Sequence, residues 1–184
     1  MRIYFPAPGE LSAPELRAAG LDGELVPLGL GWVPADAVQT PALRAASLAP
    51  LVTPGLAAVG LTAAWVHGAL DQLPLPCQAQ RATAGGARRT GGGALHVRDA
   101  LLPADDQETT AGVRVSTPAR TLVDLTGDEI AGAAAARPRA EAIRRLAADP
   151  GILAAAIAVA RRRARMPRRP EILARLRAQE DVTR

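Results

Sequence analysis

Between Gly112 and Leu125 the chain changes its hydrophobic period within a few residues, and that switch constrains the fold more than any other feature. Val113 and Val115 alternate with Arg114 and Ser116, which is the period of a strand with one apolar face. Thr117-Pro118 follows without a spacer. A hydroxyl residue can cap a helix, and proline suits its first position. Leu122, Val123 and Leu125 then continue a helical pattern, with Gly127 as the expected stop. Beyond it the sequence predicts helices only, over 128–136, 139–148, 151–165 and 170–180. Asp149-Pro150 repeats the cap and first-turn pair, and Pro167 and Pro170 separate the last two. Upstream the pattern is mixed. Ser12, Glu15 and Gly20 bound a short helix with a capping-box spacing. Residues 24–28 and 31–33 read as two short strands, and 41–49 and 56–70 as helices, the second starting near Gly60 or Thr62. Further strands are expected over 77–83 and 94–98, with a turn and a short strand within 101–108. The expected class is α/β (α+β), a short mixed β-sheet with packed helices and a helical carboxy-terminus.

Composition narrows the core and the partners. Of the 184 residues, 48% are apolar but only 2% are aromatic, so a core of Leu, Val and Ala is expected. All 22 basic residues are Arg, and Lys and Asn are absent, as in a GC-rich genome where AT-rich codons are scarce. The net charge of +4 is unevenly placed: residues 1–80 carry three arginines against six acids, and residues 81–184 carry 19 against 12. An anionic partner for the second half is the implication. One cysteine, Cys77, permits no internal disulfide and suits a reducing cytoplasm. The amino-terminus has no apolar run of the signal-peptide kind. Ala45 to Leu70 is free of charge but is broken by Pro50, Pro54, Gly55 and Gly60, so two buried helices are expected there rather than a membrane span.

The segment Arg161-Arg162-Arg163-Ala164-Arg165-Met166-Pro167-Arg168-Arg169 holds six arginines and no acid. It follows the apolar run Ile152 to Ala160, so a helix can bury its first half and hold its basic end in water. Two readings stand: a patch for nucleic acid or an acidic partner, or a solvated helix end in an arginine-biased chain. Arg88 and Arg89, between Gly85-Gly86 and Gly91-Gly92-Gly93, read as a basic loop tip. They lack the spacing, lysine and following helix of a phosphate-binding loop. Arg120 and Asp124 are four apart and can pair on one helix face, for which an exposed pair contributes only ~0.3–0.5 kcal/mol. Asp105-Asp106 reads as a turn. His67 reads as a helix-end histidine and Trp65 as core. No metal site is expected, a set of His67, His96 and Cys77 being the weaker reading. No cofactor is implied.

Two motifs carry a resemblance. Leu61-Thr62-Ala63-Ala64-Trp65-Val66-His67-Gly68 looks like a "small-Ala-Ala-apolar-apolar-His-Gly" helix, and Gly112 to Leu125, with Thr117, Pro118, Arg120, Thr121 and Asp124, looks like a strand-to-helix segment. His96 falls between them, where related sequences often have a strand histidine. In this order and spacing, over about residues 10–180, the chain resembles the AbiEi-type antitoxin and transcriptional-regulator family of type IV toxin–antitoxin systems. The resemblance implies a non-enzymatic protein with a winged-helix amino-terminus that binds operator DNA, followed by an α/β antitoxin domain. It also implies a nucleotidyltransferase-like toxin as partner and repression of the protein's own operon. The expected division is a winged-helix-like segment over 1–40 and an antitoxin domain over 41–184. This chain departs from the pattern at its start, where residues 1–43 carry Arg2 and Arg17 against five acids, so a degenerate winged helix is expected. The residues read by themselves leave two other classes open: a metal-dependent nuclease-like α/β enzyme, and an interaction module without DNA binding.

Overall fold

The computed structural model describes residues 2–7, 11–84, 92–163 and 165–183. Local sequence signals account for most of its element boundaries. Helix α1 (Ala13–Leu21) starts at Ser12, whose hydroxyl accepts from the Glu15 N–H at 3.4 Å while the Glu15 carboxylate accepts from the Ser12 N–H at 2.7 Å. Strands β1 (Leu25–Leu28) and β2 (Gly31–Pro34) form an antiparallel hairpin, and Tyr4 bridges to Trp32 on its outer edge. Helix α2 (Pro41–Ser47) is capped by Thr40. One helix and one hairpin are thus what the described residues before α2 contain.

The main sheet has five strands in the order β5-β4-β3-β7-β6. Its members are β3 (Leu56–Ala58), β4 (Cys77–Arg81), β5 (Leu95–Leu101), β6 (Gln107–Thr110) and β7 (Val113–Ser116). It is mixed: β3 runs parallel to β7 and β4 to β5, whereas β3–β4 and β6–β7 are antiparallel. Helix α3 (Gly60–Val66) leaves the central strand, and α4 (Pro118–Ile130), α5 (Ala136–Ala147), α6 (Pro150–Arg162) and α7 (Arg169–Thr183) follow the sheet. The α/β class and the helical carboxy-terminus expected from sequence are what the chain adopts.

Several boundaries differ from the sequence reading. Residues 56–58, within the stretch 56–70 read as helical, are the central strand, and the helix itself starts at Gly60, as expected. Leu56, Ala57 and Ala58 favour helix locally, but pairing on both edges and complete burial on both faces outweigh that preference. Gly127 does not end α4, which runs on to Ile130. A Cβ at Gly127 would lie 3.2 Å from Ile172 Cδ1, so the glycine allows α7 to cross closely. The expected helix over 128–136 therefore resolves into the end of α4, a turn, and the start of α5. Finally, α6 stops at Arg162 instead of 165, and its last carbonyls accept from a side chain described below.

One core joins these parts. Trp65, Leu122, Leu125 and Leu153 pack with Leu28 and Val33 of the hairpin in a single apolar cluster. Burying each such side chain contributes about 1.5–3 kcal/mol. Among the described residues no helix is long and apolar enough to cross a membrane. The hairpin docks through its tip. Gly29 has φ +58°, and a Cβ there would stand 2.1 Å from Ser47 Oγ and 3.1 Å from the Trp65 ring. Gly29→Ala therefore combines a left-handed strain with a clash against α2 and α3. It is expected to destabilise by about 2 kcal/mol, lowering the melting temperature by roughly 4–8 °C in thermal denaturation. An unchanged melting temperature would show the tip free to move.

Candidate functional site

The strand-to-helix junction gathers Asp106, Ser116, Arg120 and Thr121, all buried, into one polar centre. Thr117 Oγ1 caps α4 by accepting from the Arg120 N–H at 3.2 Å, and Pro118 takes the first helical position. Beneath it the Ser116 and Thr121 hydroxyls are 2.7 Å apart. Arg120 points inward. Its Nε donates to Asp124 Oδ1 at 2.9 Å and its Nη1 to Asp106 Oδ2 at 2.7 Å. Asp106 sits in the short 3-10 turn between β5 and β6, and its carbonyl accepts from the Thr117 N–H at 3.0 Å. Two more arginines reach it from the end of α6: Arg162 Nη2 donates to Oδ1, and Arg163 Nη1 to Oδ2 at 3.2 Å. Burial pushes the Asp124 carboxyl above its ordinary value, against the pull of Arg120 and Arg98.

The i,i+4 pair of Arg120 and Asp124 read from the sequence is present, but it is buried rather than exposed and is extended by Asp106. The Arg120 and Asp106 side chains are only 6% and 2% exposed. Breaking a buried pair leaves a charge without its partner, which is far more costly than losing a surface contact. Asp106 is the residue that sequence reasoning missed. In Ala104-Asp105-Asp106 it looks like turn punctuation, and its partners lie 14, 56 and 57 positions away.

The other motif meets the same strand. Trp65 is buried in α3, with Arg44 stacked 5.3 Å from its ring centroid and donating to its carbonyl at 2.7 Å. His67 caps the carboxy-end of α3, and Gly68 follows at φ +81°. His67 Nε2 lies 2.8 Å from the Ser116 carbonyl, and its Nδ1 lies 4.0 Å from Glu108 Oε1. Because a carbonyl only accepts, Nε2 carries the proton. Burial lowers the His67 pKa, opposed by the Ser116 hydrogen bond and by Glu108. The two motifs, 49 residues apart, are thus joined by one imidazole.

The basic segment divides by contact. Arg162 and Arg163 are held by Asp106. Arg169 folds back on α6, its Nε and Nη2 donating to the carbonyls of Ala160 and Arg161 at 3.0 and 2.6 Å. This side-chain cap satisfies carbonyls that the end of α6 leaves without an intrahelical donor. Arg161, Arg165 and Arg168 are exposed and make no ion pair among the described residues. Arg88 and Arg89 lie outside the described residues. Among the described residues no three His, Cys, Asp or Glu side chains stand together as metal ligands, so His67, buried Cys77 and exposed His96 form no such set.

A mixed sheet is followed by helices, and a buried arginine–carboxylate network ties the β5–β6 turn to α4 and to the end of α6: this is an α/β domain. Residues 56–174 match the model of the AbiEi antitoxin C-terminal domain, and the chain belongs to that family. Every member of the Asp106 cluster lies inside the matched region. The crystal structure of RV2827C protein from Mycobacterium tuberculosis is similar at 19% identity and a TM-score of 0.35, over 90% of this chain and 70% of that one. No curated protein matches the chain.

Two outcomes follow from this geometry. Asp106→Ala takes a partner from three guanidiniums, Arg120 keeping Asp124, whereas Asp124→Ala takes one from Arg120 alone, so the first should cost about 3 kcal/mol and clearly more than the second in urea denaturation. Equal losses would place the weight of the network elsewhere. For His67, a folded pKa below the ordinary 6.5 means the unfolded chain binds the extra proton first. Its contribution is fully present above pH 6.5 and falls as pH drops from there towards the lowered folded value. His67→Gln, which keeps an N–H for the Ser116 carbonyl, should flatten the melting temperature over that window; an unchanged slope assigns the pH dependence to other groups.

Proposed function

We propose that this protein is the antitoxin of a toxin–antitoxin pair, counteracting a nucleotidyltransferase-type toxin and repressing its own operon by binding DNA in the cytoplasm. The family match over residues 56–174 carries the antitoxin part of this reading. The nucleic-acid part is supported by the unpaired cations Arg161, Arg165 and Arg168 around the α6–α7 corner, with Arg162 and Arg163 between them. Phosphate contacts supply most sequence-independent affinity for DNA, and a cluster of arginines is suited to them. The acidic amino-terminal segment is poorly suited to that task, so the weight of backbone binding moves to the carboxy-terminal half. The loop arginines Arg88 and Arg89 join the same proposal from sequence alone.

The test has two arms. Co-expression with a nucleotidyltransferase-like toxin of this type of system should restore growth, and a chain that leaves the toxin fully active removes the antitoxin role. In the second arm, binding of the operon's own promoter should weaken with salt. Arg161→Gln, Arg165→Gln and Arg168→Gln together should reduce the log–log salt slope by up to about 3, near 0.9 per lost phosphate contact. A slope that survives the triple substitution excludes these three residues from the interface, and no promoter binding at all leaves an interaction module.

A further inference from the structure

The Asp106 cluster brings three guanidiniums to two carboxylates, leaving one positive charge in excess where α6 reaches the surface. Its members are not equivalent. Arg120 and Asp106 are sealed, whereas the Arg162 and Arg163 side chains remain 47% and 29% exposed. Both outer arginines dock on one carboxylate, Arg162 on Oδ1 and Arg163 on Oδ2. Asp106 is itself fixed, by Arg120 from behind and by its carbonyl bond to Thr117. Two like-charged heads are therefore held side by side by a buried anchor that cannot turn away.

A guanidinium has five N–H donors, and each of these two gives one of them to Asp106. Their remaining donors, their partial exposure and their close spacing suit a tetrahedral anion, which a planar fork grips through paired hydrogen bonds. Ordering a long side chain opposes binding, and folding has already ordered these two. We propose that Arg162 and Arg163 form a two-guanidinium fork for a backbone phosphate of a nucleic acid, with Asp106 as the positioning residue that sets their spacing. This rests on the nucleic-acid reading above. Arg161, Arg165 and Arg168, exposed and close to the fork in sequence, supply attraction without fixed geometry.

The Nε–H signals of isotope-labelled full-length protein, titrated with inorganic phosphate, test the fork without any substitution. Arg162 and Arg163 should shift at lower phosphate than Arg161, Arg165 and Arg168. One common midpoint for all five, or silence at Arg162 and Arg163, overturns the proposal. R162K/R163K keeps the charge and removes the planar donors. For a short labelled duplex it should keep the salt slope while losing affinity about tenfold, the equivalent of one charge-assisted hydrogen bond. Full affinity in that variant also overturns the fork. Failure of the two ideas is separable. Duplex binding lost in R161Q/R165Q/R168Q but intact in R162K/R163K removes the fork and leaves the nucleic-acid reading. Phosphate shifts at the fork with no duplex binding, or with tighter binding of poly-glutamate than of duplex, remove the nucleic-acid assignment.

Discussion

The buried contact between Arg120 and Asp106 is the constraint on which the rest of the helical half depends. A guanidinium at the start of α4 cannot be left dry without a counter-charge, and Asp106 supplies it from a turn that no local signal marks as special. Once that turn is fixed, its free oxygen Oδ1 takes Arg162, and Arg163 shares Oδ2 with Arg120. The end of α6 is then tied to the β5–β6 turn, and Arg169 closes the corner by capping the same helix. The network is not fully complete: Asp124 Oδ2 is buried without a hydrogen bond, in keeping with burial raising the pKa of that carboxyl.

His67 performs the matching task on the other side of the junction. It ends α3 and touches the last residue of β7, so the helix that leaves the central strand and the strand that enters α4 are held in register. Trp65 and Arg44 then tie the same helix to α2 and to the loop after Gly68, through the Trp65 and Leu70 carbonyls. The two sequence motifs that suggested the family are in this way one structural device: a strand, two helix ends and an imidazole between them. Its members are buried or nearly so, which is why it reads as framework.

Function in this reading is left to what the framework presents. The arginines from 161 to 169 look alike in sequence but do three different jobs. Arg169 is a helix cap, Arg162 and Arg163 are docked on a buried carboxylate, and Arg161, Arg165 and Arg168 face solvent. A net charge says how many cations a segment holds. Which of them can meet a ligand depends on carboxylates and carbonyls that the fold brings from elsewhere.

Much of this was open to reading before any coordinates. Capping boxes, proline at first helical positions and period changes act over three or four residues, so α1, α2, β7, the start of α4 and the start of α6 were legible from the chain itself. The family resemblance lay in short contiguous motifs for the same reason. Tertiary structure alone decided the identity of β3, the passage of α4 through Gly127, and the role of Asp106. Each of these is set by partners far away in sequence: two neighbouring strands, the Ile172 side chain, and arginines more than fifty residues downstream. Local propensity is worth tenths of a kilocalorie per residue, and burial of a backbone or a charge is worth several times more, so where they disagreed the packing won.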